Sequence, residues 1–191
     1  MNRTSLQQRI RIALRQVIVD EWSLFTSWTS GRPVSERTIC THLGWYLRPQ
    51  LPREWDVDCE YNRNGLAAVK ADAAGHQHPA DLIVHHRGLP GRGHNLLLVE
   101  LKVTAASENR GGSLQTTRDL VRDLQYQDGV YLHLNAARPR GTTTLDPKWA
   151  WFPRNRPEVA LAPVYSPGTL DAILREARRT LDARRPAARM D

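Results

Sequence analysis

Apolar residues near the start of the chain recur at helical spacing: Leu6, Ile10, Leu14, Val17, Ile18 and Phe25 predict a helix over 4–27. The stretch SWTSGRP, with Gly31 and Pro33, breaks it. A second helix is expected from Ser35 to about Arg48, carrying Ile39, Cys40, Leu43, Tyr46 and Leu47 on one face and stopped by Pro49 and Pro52. The period then changes to two. In WDVDCEYNR (55–63), Val57, Cys59 and Tyr61 alternate with Asp58 and Glu60, the pattern of a half-buried strand. Residues 64–78, with Asn64-Gly65 and Gly75, read as a loop or irregular excursion. ADLIVHHR (80–87) reads as a strand and GLPGRGHN (88–95) as a turn-rich connection. NLLLVELKV (95–103) is apolar on both faces, as a central strand covered on both sides should be.

Leu114, Leu120, Val121 and Leu124 predict a helix over about 113–126, ended by Gly129, with a strand at 130–135. ARPRGTTTLDPK is loop-like, and WAWFPRNRP is aromatic and basic without clear periodicity. VALAPVYS (159–166) fits a short edge strand, since Pro163 is out of place in a central one. A last helix over 168–184 places Leu170, Ile173, Leu174 and Leu181 inside and Arg175, Arg178 and Arg179 outside, and PAARMD is expected to fray. With no internal repeat and no low-complexity linker, a single α/β domain spanning 1–191 is the economical reading.

Composition narrows the function classes. Hydrophobic residues at 40% and charged residues at 25% are ordinary for a globular protein. No stretch approaches the ~20 apolar residues of a membrane span. The first segment is charged and amphipathic, unlike a secretory signal, so a cytoplasmic protein without membrane attachment is expected. Cys40 and Cys59 lack the spacing of a zinc site or a disulfide framework and read as small buried residues. The 27 basic against 20 acidic residues give a net charge of +7, which favours a polyanionic partner, although much of the excess sits between Arg175 and Arg189. Lysine occurs only at 70, 102 and 148 in an arginine-rich chain, so a lysine inside an apolar strand suggests a task for which guanidinium is ill suited. There is no phosphate-binding P-loop, no GxSxG and no dinucleotide glycine fingerprint.

The chemistry concentrates in the 96–103 strand. Strand alternation places Leu96, Leu98, Glu100 and Lys102 on one face, so two charges enter an otherwise apolar surface. Burying them is costly unless they pair with each other at the strand's exposed end or meet a metal. Asp81 shares a face with Ile83 and His85 on the preceding strand. If the two strands are antiparallel neighbours it can approach Glu100 and Lys102, and carboxylate oxygens suit a hard cation such as Mg²⁺. Alternatively, Asp81 merely marks a strand entry after Pro79. Glu36 lies on the apolar stripe of its helix, three, four and seven residues before Ile39, Cys40 and Leu43. It either faces the same site or complements the helix dipole.

The ordered set Glu36, (Pro79-Ala80-)Asp81 and Glu100-Leu101-Lys102, on a helix–strand–strand–strand–helix–strand succession, resembles the PD-(D/E)XK nuclease superfamily. The resemblance covers about 33–135, leaving the helix at 4–27 and a strand and helix extension at 136–185 outside it. The proline stands at 79 instead of directly before the aspartate, where this chain has Ala80. The resemblance implies a restriction-endonuclease-like α/β core: a central mixed sheet of four to five strands flanked by helices in α-β-β-β-α-β order. It implies that Asp81 and Glu100 ligate Mg²⁺, with Mn²⁺ as a substitute, and that the Leu101 backbone carbonyl adds a ligand. Lys102 would position or help deprotonate the attacking water, and Glu36 would complete the metal environment directly or through water. The expected function is phosphodiester hydrolysis, on DNA in preference to RNA. The rival is a nucleic-acid- or partner-binding module that keeps the fold without cutting, and a third reading is a component of a larger defence or repair assembly. A double-strand cutter would favour a homodimer.

Secondary candidates surround this set. Arg118, Arg122 and Gln125 on the helix after the ExK strand, and Lys148 and Arg154 with the aromatics Trp149, Trp151 and Phe152, could contact nucleic acid. A solvated helix face and aromatic packing over the sheet account for them equally simply. His76, His78, His85, His86 and His94 cluster in sequence without ligand spacing, and Asp58 and Glu60 read as the polar side of an edge-like strand.

Overall fold

The computed structural model describes residues 2–27, 34–61, 63–64, 68–69, 80–104, 111–137, 142–155 and 159–184. Gly31, Pro33, Lys70, Gly75, His76, His78, Pro79, Arg156 and the end at 185–191 lie outside them.

Two helices carry the N-terminal apolar stripe, where one was expected. The first, α1 (Arg3–Asp20), stops where Glu21 leaves helical backbone, and a single turn, α2 (Ser23–Thr26), follows. The break lets Trp22 and Phe25 bury side by side, ring centroids 5.7 Å apart. Helix α3 (Glu36–Leu47) begins as its sequence predicts: the Thr38 N–H donates to the Ser35 hydroxyl, and Ile39, Cys40, Leu43 and Leu47 are buried.

A mixed six-stranded sheet forms the centre. Its strands are β1 (Asp56–Cys59), β4 (Leu82–His85), β5 (Asn95–Thr104), β6 (Asp128–Ala137), β7 (Thr144–Pro153) and β8 (Val159–Pro163), in the spatial order β1-β4-β5-β6-β7-β8. Only β5 and β6 run parallel, joined by the crossover helix α4 (Gly111–Asp123). β2 (Arg63–Asn64) and β3 (Ala68–Val69) form a separate two-stranded ribbon inside the expected excursion. Helix α5 (Pro167–Arg184) closes the described chain with Ile173, Leu174 and Ala177 buried and Arg175, Arg178 and Arg179 outward. Among the described residues, no helix is long and apolar enough to cross a membrane.

The sheet is covered on both faces. Buried side chains of α1, α3 and α5 join Leu97, Val99, Leu101 and Val103 of β5 and Val130, Leu132 and Leu134 of β6 in the larger core. On the other face Leu120 and Val121 of α4, with Leu124 just after it, pack over Ile83, Leu98, Tyr131, Ala150 and Phe152. α4 lies so close that a Cβ on Gly129 would meet Val121 Cγ2 at 2.1 Å. That glycine therefore serves helix-to-strand approach within β6; the helix it was expected to end stops at Asp123, where Gln125 turns the chain at φ 60°.

The sheet holds more strand than the four to five expected. The excess is chiefly β7, ten residues paired to β6 along its whole length across a stretch expected to be loop and irregular aromatics. Its inward positions alternate correctly, Leu145, Trp149 and Trp151 to one core and Ala150 and Phe152 to the other. Burial on both faces erases the polar half of the pattern, and Pro147 and Pro153 mimic breakers. A smaller departure sits in β5. Pairing with β4 shifts register between Val84 and His85, so β5 bulges and Leu96 joins the larger core beside Leu97 instead of sharing the face of Leu98 and Glu100.

Candidate active site

β4 is shorter than β5. Its register with β5 ends at Leu82↔Val99, so beyond that point β5 presents unpaired backbone on the β4 side. Two carboxylates take the place of the missing strand. Asp81 Oδ2 accepts the Leu101 N–H at 2.7 Å, and Glu36 Oε1 accepts the Val103 N–H at 2.9 Å. Within a strand residue, N–H and C=O point to the same side, so the Leu101 carbonyl also faces the Asp81 edge. Helix α3 brings Glu36 here from its first turn, with Ser35 left to cap the helix.

Glu100 directly precedes the first of these edge contacts, on the face shared with Lys102. Its carboxyl accepts the Asp81 N–H, while Oε1 is buried and has no hydrogen-bond partner. Burial, and then the neighbouring Asp81 carboxylate, push its pKa from the ordinary 4.5 up to about 8. Burial likewise raises Asp81, against the opposing pull of the Leu101 N–H and Lys102. At neutral pH the protonated form of Glu100 is therefore the favoured one.

Lys102 Nζ is 2.7 Å from Glu36 Oε2, with both side chains about one-third exposed. Burial works to lower the ammonium's pKa, but Glu36, Asp81 and Glu100 outweigh it and the net shift is upward. Lys102 is therefore a charged lysine at every physiological pH, held by one carboxylate and close to two others.

Behind Asp81 stands Cys40, whose thiol donates to the Asp81 carbonyl at 3.0 Å. The Cys59 thiol beside it, and burial, hold the Cys40 thiol above its usual range. Both cysteines are structural neighbours of the site, in line with their reading as packed residues.

Strand register extends the polar surface sideways. Lys102 is opposite His133 on β6, which is opposite Lys148 on β7, so two of the chain's three lysines fall on one cross-strand row of one face. The next row is Thr104, Asn135 and Asp146. Thr104 Oγ1 and fully buried His133 Nε2 are 2.6 Å apart, and Lys148 Nζ pairs with Asp146 at 3.0 Å. Thr104 and His133 were missed from the sequence, although His133 interrupts the apolar run VYLHLN as Glu100 and Lys102 interrupt theirs.

Other candidates are placed elsewhere. Arg122 is paired with Asp119 and Asp123, and Gln125 lies at the end of α4, where Asn95 Nδ2 donates to the Leu124 carbonyl. That is the far end of β5 from Glu100, and Arg154 follows β7 at the same end. Trp149, Trp151 and Phe152 are buried in the two cores, so aromatic packing holds for them and base stacking is withdrawn. His85 is buried against Asp58 at 2.8 Å, and Asp58 also takes Arg87, while Glu60 pairs with Arg37. His86 and His94 meet through their Nδ1 atoms at 3.0 Å, with His86 stacked on Trp55.

Among the described residues, no group of three or more His, Cys, Asp or Glu side chains converges as a ready metal cage. The donors present are two carboxylates and one backbone carbonyl, all oxygen. Such a set fits Mg²⁺, which binds through one or two carboxylates and retains waters, and does not fit zinc. The protein is thus an α/β chain with a carboxylate–lysine cluster where a short strand leaves its central neighbour uncovered. Comparison with known families, curated proteins and solved structures found no match for it.

Proposed function

We propose that this chain is a metal-dependent phosphodiesterase of the PD-(D/E)XK, restriction-endonuclease-like kind that cuts nucleic acid, DNA in preference to RNA. The observation that carries the reading is Glu100: a buried carboxyl with an unpartnered oxygen, beside Asp81 and two residues before Lys102. Leaving a buried carboxyl oxygen unbonded costs the fold stability, and such groups cluster at functional sites.

Asp81, Glu100 and the Leu101 carbonyl would hold Mg²⁺, or Mn²⁺ in its place. When bound, the ion would supply positive charge to the phosphate and an activated water. Asp81 keeps β5 in register through the Leu101 N–H, so its carboxylate is fixed before substrate arrives. To serve as a ligand, Glu100 would have to release the proton that its raised pKa favours. Lys102 exchanges Glu36 for a phosphate oxygen and offsets the charge that develops on it. Glu36, left on the Val103 N–H, is then available to a bound water.

The second reading is a binding module that keeps the fold without cutting, alone or within a larger assembly. The Lys102–Glu36 ion pair favours it, since it occupies the cation that catalysis requires. The test is incubation of purified protein with single- and double-stranded DNA and RNA in Mg²⁺, Mn²⁺ or EDTA. Cleavage that depends on metal and is lost in Asp81→Ala and Lys102→Ala supports the nuclease. Cleavage that survives EDTA, or is unchanged in those variants, overturns it. Binding without cleavage in every metal condition selects the module.

A further inference from the structure

Surface arginines in this chain commonly have acids beside them: Arg15 with Glu176, Arg37 with Glu60, Arg87 with Asp58, Arg122 with Asp119 and Asp123. One cleft of about 470 Å³ departs from that practice. Arg3, Arg92, Gln127, Asp128, Arg154 and Asn155 line it, drawn from the start of α1, the β4–β5 connection, the entry to β6 and the exit from β7. The nearest acid to Arg3 is Asp128, at 3.7 Å. The guanidinium groups of Arg92 and Arg154 have no hydrogen-bond or ion-pair partner among the described residues.

Gln127 ties this rim together. Its N–H donates to the Asn95 carbonyl at 3.0 Å, its side-chain amide donates to the Arg92 carbonyl at 3.2 Å, and its own carbonyl accepts the Arg154 N–H at 3.2 Å. The two unpaired arginines are therefore anchored through one residue. Among the described lining residues, three cations against one anion give +2. A phosphate monoester carries about −1.5 to −2 at neutral pH, and guanidinium forks match its oxygens. A diester or a carboxylate supplies only one negative charge.

We propose that this cleft binds a phosphate monoester, carried by a free nucleotide or by the 5′ end of a nucleic-acid strand. A cavity of this size exceeds phosphate alone and admits the attached nucleoside. The cleft is separate from the carboxylate cluster. It sits beside Asn95 and Asp128, at the start of β5 and β6, while Glu100 is five residues further along β5, about 16 Å at strand rise. The proposal does not depend on the chain being a nuclease.

Calorimetry in EDTA, where metal-dependent cleavage is silent, tests it with two probe pairs: a nucleoside with and without its 5′-phosphate, and one oligonucleotide with a 5′-phosphate or a 5′-hydroxyl. The mononucleotide should bind, or the 5′-phosphorylated strand should bind about tenfold tighter than the 5′-hydroxyl strand. Whichever of the two is tighter identifies the source. The double variant R92Q/R154Q should remove that binding or that preference while its circular dichroism and melting match the parent, and Arg15→Gln should leave both unchanged. Affinity should fall between pH 7.5 and 5.5, as the monoester takes up its second proton. The proposal is overturned if neither monoester-bearing probe is preferred over its unphosphorylated counterpart, or if the folded double variant binds as the parent does.

Discussion

Glu36 and Lys102, 66 residues apart in sequence, meet at 2.7 Å, and the second oxygen of the same carboxylate takes the Val103 N–H at 2.9 Å. One side chain from the first turn of α3 thus both neutralises the lysine and completes the edge of β5. The two roles separate by substitution. Glu36→Gln keeps an acceptor for Val103 and gives up the charge; Glu36→Ala gives up both. Because the pair is about one-third exposed, the charge itself contributes little to stability, whereas the stranded N–H costs about 1–2 kcal/mol. Urea denaturation should therefore show Glu36→Ala clearly destabilised and Glu36→Gln near the parent.

Glu100 sets the pH dependence of the metal-free chain. Its folded pKa, about 8, lies above the ordinary 4.5, so between those values the folded state holds a proton that the unfolded state has released. Stability then falls as pH rises through that window, by at most about 1.4 kcal/mol per pH unit, and the cost is complete above pH 8. Melting in EDTA should show this decline, and Glu100→Gln should flatten it and melt higher at pH 8. Since metal entry expels that proton, Mg²⁺ affinity of the parent should rise with pH up to about 8.

Asp58 produces the opposite limb. Burial works to raise its pKa, but hydrogen bonds from Arg87 and His85 prevail and hold it below the ordinary carboxylate value. A carboxyl lowered on folding contributes stability above its unfolded pKa and loses it as pH falls through the folded one. Asp58→Asn should weaken the fold by about 1–3 kcal/mol at pH 7, because it leaves buried His85 with a poorer partner. The difference from the parent should shrink below pH 4, and a constant gap from pH 3 to 7 would contradict this account.

Gly129 tests the fold. A methyl group there meets Val121 Cγ2 at 2.1 Å, so α4 must lift from β6 or Val121 must repack. Gly129→Ala should cost about 1–3 kcal/mol as overpacking does. Adding Val121→Ala removes the obstructing atom, so the double variant should recover part of the loss, which would identify the contact as the cause.

These contacts also explain what the sequence could reveal. Asp81, Glu100 and Lys102 stood out as candidates because charges border or interrupt apolar strands, while their approach was conditional on the antiparallel pairing that β4 and β5 adopt. The partner of Glu36 was not legible, since neither the carboxylate pairing of Val103 nor the early end of β4 leaves a local mark. Gly129 looked like a helix stop because glycine carries no sign of whether it serves a turn or a close approach. β7 was hidden by burial on both faces and by two prolines, and with it the row Lys102–His133–Lys148.

That row gives the last prediction. Lys148 lies two strands from Lys102 on the same face, a separation of about 10 Å at sheet spacing. Among the described residues its charge partner is the half-exposed Asp146, which solvent can replace. A nucleic-acid backbone crossing from Lys102 along this row would meet Lys148 at a phosphate remote from the reacting one. Lys148→Gln should then weaken binding in EDTA and reduce the salt slope of log K by about one. If the chain cuts, KM should rise with kcat nearly unchanged, because the contact is equal in ground and transition states. Lys102→Gln should instead lower kcat by about 10²–10³-fold. Equal losses of kcat in both variants would place Lys148 at the reacting phosphate, and no change in binding for Lys148→Gln would remove the row from the substrate's path.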